Sequence, residues 1–152
     1  ETALTHPARL RSLTLWNSGP SREEGGFPIY LDALLTQGHR ALEVERMPLA
    51  DTDPVQAWYA DRLRRTELAQ LEAALRAMLE QCDRTDELAA LRLPALVAHG
   101  AHDFAWPQRS QSRMASRLSA DYAVIADAGH CAHWDRPAYC AGLLDAFWGE
   151  LA

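Results

Sequence analysis

The sequence predicts an α/β fold on a parallel sheet, interrupted by a helical insertion, and three observations carry that reading. Residues Ala95-Leu96-Val97-Ala98, closing on His99, form a continuous apolar run of the kind found in strands covered on both faces. Within residues 94–152 strand, helix, strand and helix patterns follow one another, which calls for crossover connections and hence parallel pairing. Between residues 27 and 93 the apolar positions recur at helical period instead.

Taken in order, Glu1 to His6 reads as the last turn of a helix, and residues 12–16 alternate their apolar positions before the turn Asn17-Ser18-Gly19-Pro20, so they form a short strand. The helical stretch then presents Leu31, Leu34 and Leu35; next Val55, Trp58, Tyr59 and Leu63 behind the start signal Asp53-Pro54; and then Leu68, Leu71, Leu75, Met78, Leu79 and Cys82 at i, i+3, i+4, i+7. After the strand at 95–99 comes a loop, Gly100 to Pro107. Met114, Ala115 and Leu118 mark a helix, and Tyr122 to Ala126 a second buried strand. A loop from Asp127 to Arg136 leads to Pro137, which opens a helix with the stripe Cys140, Leu143, Leu144, Phe147 and Leu151. The divisions are therefore 1–26 for a core strand and its flanks, 27–93 for the helical insertion, and 94–152 for the βαβα part of the core.

Composition bounds the function. With 48% hydrophobic and 24% charged residues in 152, the chain has globular usage, and its apolar runs are far shorter than the roughly 20 residues of a membrane span. Lysine is absent, and 15 arginines face 21 acidic residues for a net charge of -6, so neither nucleic acid nor an anionic membrane is an expected partner. Three cysteines, Cys82, Cys131 and Cys140, suit reduced thiols and a cytoplasmic location better than a disulfide framework.

In open parallel sheets, functional groups gather at the carboxyl ends of the strands. Two loops there carry chemistry: Gly100-Ala101-His102-Asp103 and Gly129-His130. Neighbouring strands lie about 4.8 Å apart, so the Asp103 carboxylate and the His130 imidazole can meet, as the acid and histidine of a catalytic triad do. Alone, Asp103 could cap a turn and His130 could be a core histidine; the pairing favours the catalytic reading. His99, His102, His130 and His133 form two H-x-x-H pairs, but His99 ends an apolar strand and His130 is already explained, so no metal site is expected. Cys131 would face away from His130 on an extended segment. Phe104 and Trp106, beside the acid, read first as packing beneath the insertion, and with Trp58 and Tyr59 of the insertion they are the candidate substrate contacts. With Phe27, Tyr30 and Met47, the insertion's aromatics either line an apolar pocket or only pack the helices together.

Residues 94–148, with Pro94-Ala95-Leu96-Val97-Ala98-His99-Gly100-Ala101-His102-Asp103, then Ala128-Gly129-His130-Cys131-Ala132-His133-Trp134-Asp135-Arg136-Pro137, then Leu143-Leu144-Asp145-Ala146-Phe147, resemble the last two strands and final helix of the α/β-hydrolase family. Residues 3–18 resemble the helix end and strand that follow the family's nucleophile, and 27–93 its helical cap. The resemblance implies the carboxyl-terminal portion of a hydrolase sheet with a cap insertion, Asp103 as acid and His130 as base. It also implies a small ester, lactone or related acyl substrate and no cofactor. The family's G-x-S-x-G elbow is missing, since Ser18 has no glycine two residues before it. The resemblance then places Glu1 about ten residues past an absent serine, so the nucleophile and the amino-terminal half lie outside this chain and the chain alone is expected to be inactive. A dehalogenase or epoxide hydrolase of the same fold, with aspartate in place of serine, and a non-catalytic binding module are the alternatives. An exposed strand edge at residues 12–16 would also be open to self-association.

Overall fold

The computed structural model describes residues 2–21, 27–38 and 53–151. They fall into two compact units, Glu1–Gly25 with Cys82–Ala152, and Gly26–Gln81.

The first unit is built on a three-stranded parallel sheet of β1 (Leu13–Trp16), β2 (Ala95–Gly100) and β3 (Asp121–Ile125), in that spatial order. Leu15 pairs with Val97 and Trp16 with Ala98; His99 pairs with Val124. Because side chains alternate across a strand, β2 feeds two cores. Leu96 and Ala98 join Ile125, Ala128, Ala132, Cys140 and Phe147 beneath helix α8 (Pro137–Gly149), while Val97 joins Met114, Ala115 and Leu118 of helix α6 (Gln108–Leu118) on the other face. Every residue of β2 is buried, as its unbroken apolar run demands.

β3 departs from the expectation of a second buried strand. Only Ile125 is buried in it, and Tyr122 and Val124 are 40% and 42% exposed. The strand has β2 as its sole sheet neighbour among the described residues, and Met114 and Leu118 of α6 pack on Val97 of β2, leaving the flanking side chains of β3 in the open. Short helices α1 (Thr2–Thr5), α5 (Thr85–Ala90) and α7 (Ala132–Asp135) complete this unit. The sequence reading assigned residues up to 93 to the insertion, whereas everything from Cys82 onward packs with the sheet. The cause is local: Leu88 and Ala89 of α5 pack against the Val97 cluster, Thr85 is buried, and Arg117 of α6 pairs with Asp83 and with Asp86 at 2.9 Å.

The second unit contains α2 (Phe27–Gln37), α3 (Pro54–Arg65) and α4 (Leu68–Glu80), with α2 packed against α4. Leu31, Leu34 and Ala60 are buried, but Leu35 and Leu68 are exposed. Cys82 does not extend the α4 stripe, because Gln81 turns to an extended conformation (ψ 123°) and ends the helix. Met47 lies outside the described residues. No described helix is long and apolar enough to cross a membrane.

Candidate active site

Pairing between β2 and β3 continues past their ends. The amides of Ala101 and His102 donate to the carbonyls of Ile125 and Ala128, both at 2.9 Å, and so carry the two following loops side by side. Gly100 makes this possible. A Cβ there would run into the carbonyls of Ala128 and Gly129, so only glycine lets the two backbones come so close.

In the first loop Asp103 folds back on its own chain, its Oδ1 accepting from the amides of Ala105 at 2.9 Å and Trp106 at 3.4 Å, an Asx turn. Its Oδ2 accepts from the side-chain amides of Asn17 at 3.3 Å and Gln111 at 3.2 Å. In the second loop Asp127 takes a positive φ of 54° to turn the chain, and the Gly129 amide donates to Asp135 Oδ2 at 2.7 Å. This presents His130, whose Nδ1 lies 2.9 Å from Asp103 Oδ1.

Asp103 has a wholly covered side chain, whereas that of His130 is 31% exposed. Burial pushes the Asp103 carboxyl upward, but the hydrogen bond and charge of His130, with the donors from Ala105 and Asn17, outweigh it and hold the group below its ordinary value. An ionised carboxylate can only accept, so Nδ1 carries the ring proton and the neutral imidazole keeps its lone pair on Nε2. Among the described residues nothing bonds to Nε2. The pair therefore offers an oriented imidazole with an open nitrogen on a partly exposed ring, backed by a fixed negative charge.

Phe104, 62% exposed, tilts its ring toward His130 with centroids 5.8 Å apart. Trp106 is buried instead, its ring packed on Gly19 in the turn after β1, where a Cβ could not fit. Asp103, His130 and Phe104 thus meet at one edge, while Trp106 anchors the acid loop to the body. Trp58 and Tyr59 are carried by α3 of the second unit, and Trp58 is 52% exposed beneath the Arg62 guanidinium at 5.6 Å. Phe27 and Tyr30 lie in the first turns of α2.

The H-x-x-H pairs do not converge. His99 is engaged at both nitrogens, with the Gly100 carbonyl at 2.8 Å and the Tyr122 hydroxyl at 2.7 Å, and His130 is held by Asp103. Among the described residues no group of three or more His, Cys, Asp or Glu side chains is arranged to hold a metal ion. Cys140 is buried beneath α7, its thiol on the Ala132 carbonyl at 3.3 Å, and burial followed by the nearby Asp135 charge raises its pKa. Sequence reasoning missed Asn17 and Gln111. Asn17 stands where β1 gives way to its turn, the position equivalent to the roots of the other two loops, and that was the signal available. Gln111 stands three and four residues before Met114 and Ala115, on the apolar stripe of its helix, and a polar residue in that stripe was the signal available.

No protein-family model matches the sequence, and neither does any curated protein. Solved structures do match in fold. An esterase from Thermogutta terrifontis superposes with a TM-score of 0.80 at 21% identity, over 98% of this chain and 59% of that one. An enol-lactonase from Burkholderia xenovorans gives 0.82 at 22% identity over 97% and 60%. A meta-cleavage product hydrolase from Pseudomonas fluorescens gives 0.73 at 16% identity over 99% and 60%. The chain spans about 60% of the length of these proteins.

Proposed function

We propose that this chain, whose fold is that of the carboxyl-terminal part of an α/β-hydrolase, supplies the acid and the base of a hydrolase acting on a small ester, lactone or related acyl substrate. The observation that carries the reading is the Asp103–His130 pair at 2.9 Å with Nε2 left open. In the intact enzyme a serine on a segment outside these residues attacks the acyl carbon, and its proton passes to His130 Nε2. Asp103 stabilises the imidazolium that forms. The proton then goes to the leaving oxygen as its bond to the acyl carbon breaks. In the second half the same nitrogen takes a proton from water as the water oxygen bonds the acyl carbon, and returns it to the serine oxygen as the ester bond breaks and the acid product leaves. Likeness to an esterase and an enol-lactonase supports the acyl class. Phe104, beside His130, is the aromatic best placed to touch the acyl group, with Trp106 packed on Gly19 and supporting the loop. The outer edge of β1, which has no sheet neighbour among the described residues, is the natural place for a further strand from the nucleophile-bearing segment. In this chain alone the same edge would favour self-association.

Hydrolysis of p-nitrophenyl acetate tests the proposal. The 152-residue chain should match an inactive control protein, and the intact polypeptide should turn over through a covalent acyl intermediate lost in His130→Ala. Turnover by the chain alone, or its survival in His130→Ala, would contradict it. Cleavage of a haloalkane or epoxide but not of esters would move the assignment to an aspartate nucleophile.

A further inference from the structure

We infer that Asn17 is a positioning residue for the acid–histidine pair, its single side-chain amide tying together the two loops that carry them; the inference rests on the hydrolase reading above. Asn17 follows the last residue of β1, its own amide donating to the Ala98 carbonyl at 2.8 Å, so the strand's pairing fixes where its side chain begins. Its backbone sits at φ 47°, in the left-handed region that asparagine enters more readily than most residues. From there Nδ2 reaches Asp103 Oδ2 and the Gly129 carbonyl, both at 3.3 Å. One group thus holds the acid itself and the peptide immediately before His130.

The amide cannot be turned round, because both atoms it faces are acceptors and a flipped oxygen would repel them. Its Oδ1 is buried without a partner among the described residues, and the residue is only 9% exposed. A turn asparagine needs no such burial, and an unpartnered buried carbonyl is a cost. The Nδ2 contacts account for what is retained in exchange. Asp135 grips the other side of the same residue through the Gly129 amide at 2.7 Å, and Gln111 Nε2 adds a second neutral donor to Asp103 Oδ2, at 3.2 Å, while also holding the Trp106 carbonyl at 3.2 Å. Oδ2 is thus held by two side-chain amides, while Oδ1 takes His130 beside the backbone amides of Ala105 and Trp106. Asn17 touches both loops directly, so it sets the acid's orientation and the histidine's position at once.

Two substitutions in the intact enzyme separate this role from a merely structural one. Asn17→Gly accepts the left-handed backbone and deletes the amide; Asn17→Asp keeps the shape but turns a double donor into an anion facing a carboxylate and a carbonyl. Per active site titrated with a fluorophosphonate, both should lower kcat toward p-nitrophenyl acetate by about tenfold to a hundredfold with KM within about twofold, the scale set by small losses of alignment. Asn17→Asp should also move the acid limb of the kcat/KM profile to higher pH by about one unit, since added negative charge holds a proton on the pair, whichever member carries it. In Asn17→Gly the downfield Nδ1 proton resonance of His130 should broaden or vanish, a readout independent of turnover and of how well Asn17→Asp folds. Unchanged kcat and acid limb in both variants, with His130→Ala inactive, would overturn the inference and leave the hydrolase reading standing. Full turnover in His130→Ala would overturn the hydrolase reading and this inference with it.

Discussion

The two loops that leave the sheet side by side are built to opposite ends. The loop of Asp103 is closed: its carboxylate is fully covered and receives His130, two backbone amides and two side-chain amides. The loop of His130 is open: the ring is 31% exposed, held at one nitrogen and bare at the other. An acid that never exchanges its proton is served by being saturated and immobile, whereas a base that must take and return one needs an unoccupied face.

Predictions that break this asymmetry follow in order of size. On the proposed hydrolase reading His130→Ala removes the base, and turnover of the intact polypeptide should fall by about 10⁴-fold or more, measured as kcat on an activated ester. Asp103→Asn leaves the shape but offers His130 an amide instead of a carboxylate, so the ring loses the tautomer that frees Nε2; kcat should drop by about 10³- to 10⁴-fold with little change in circular dichroism. Gly100→Ala forces a methyl into the carbonyls of Ala128 and Gly129 and must push the two loops apart. Chemical denaturation should show it destabilised by about 1–3 kcal/mol, with activity falling more than stability explains.

Acid should affect the closed loop. Asp103 is held below its ordinary value in the folded protein, so the stability it contributes is fully present above the unfolded carboxylate range and is lost as pH falls through its folded value. Asp83, lowered to about 2 against its burial by Thr85 and Arg117, behaves alike at the base of α5. Part-exposed as it is, Asp83 contributes no more than about 1 kcal/mol. Melting temperatures taken from pH 6 down to pH 2 should decline below about pH 4, less steeply in Asp103→Asn. The smallest effect belongs to the open loop: Phe104→Ala, at an exposed ring, should raise KM a few-fold without altering kcat or stability.

The sheet was legible because its strands declare themselves locally. The unbroken run Ala95 to Ala98, bounded by Pro94 and Gly100, reads as a covered strand, and the two glycine-bearing loops that follow the strands bring Asp103 and His130 together. The burial of β3 was not legible, since Tyr122 to Ala126 has the same apolar texture as β2 and only its place at the edge leaves it exposed. The boundary of the insertion was hidden for a similar reason: α5 has helical period like its predecessors, and its attachment to the sheet through Leu88, Ala89 and the Arg117 ion pairs is long-range. The Asn17 contact escaped because a hydrogen bond across 86 residues leaves no mark on either segment, and for Gln111 a place on the apolar stripe of α6 marks burial without naming its partner Asp103. Trp106, which reads as a packing residue before a substrate contact, finds its partner Gly19 in the turn after the neighbouring strand β1, a contact that no local pattern marks.

The central claim, that this chain holds the base and acid for a nucleophile carried elsewhere, is tested most directly by locating the site of covalent modification. Treating the intact polypeptide with a fluorophosphonate and mapping the adduct by mass spectrometry should place it on a serine outside residues 1–152, with labelling strongly slowed in His130→Ala. An adduct on a residue within 1–152, or labelling that proceeds at full rate without His130, would contradict the account.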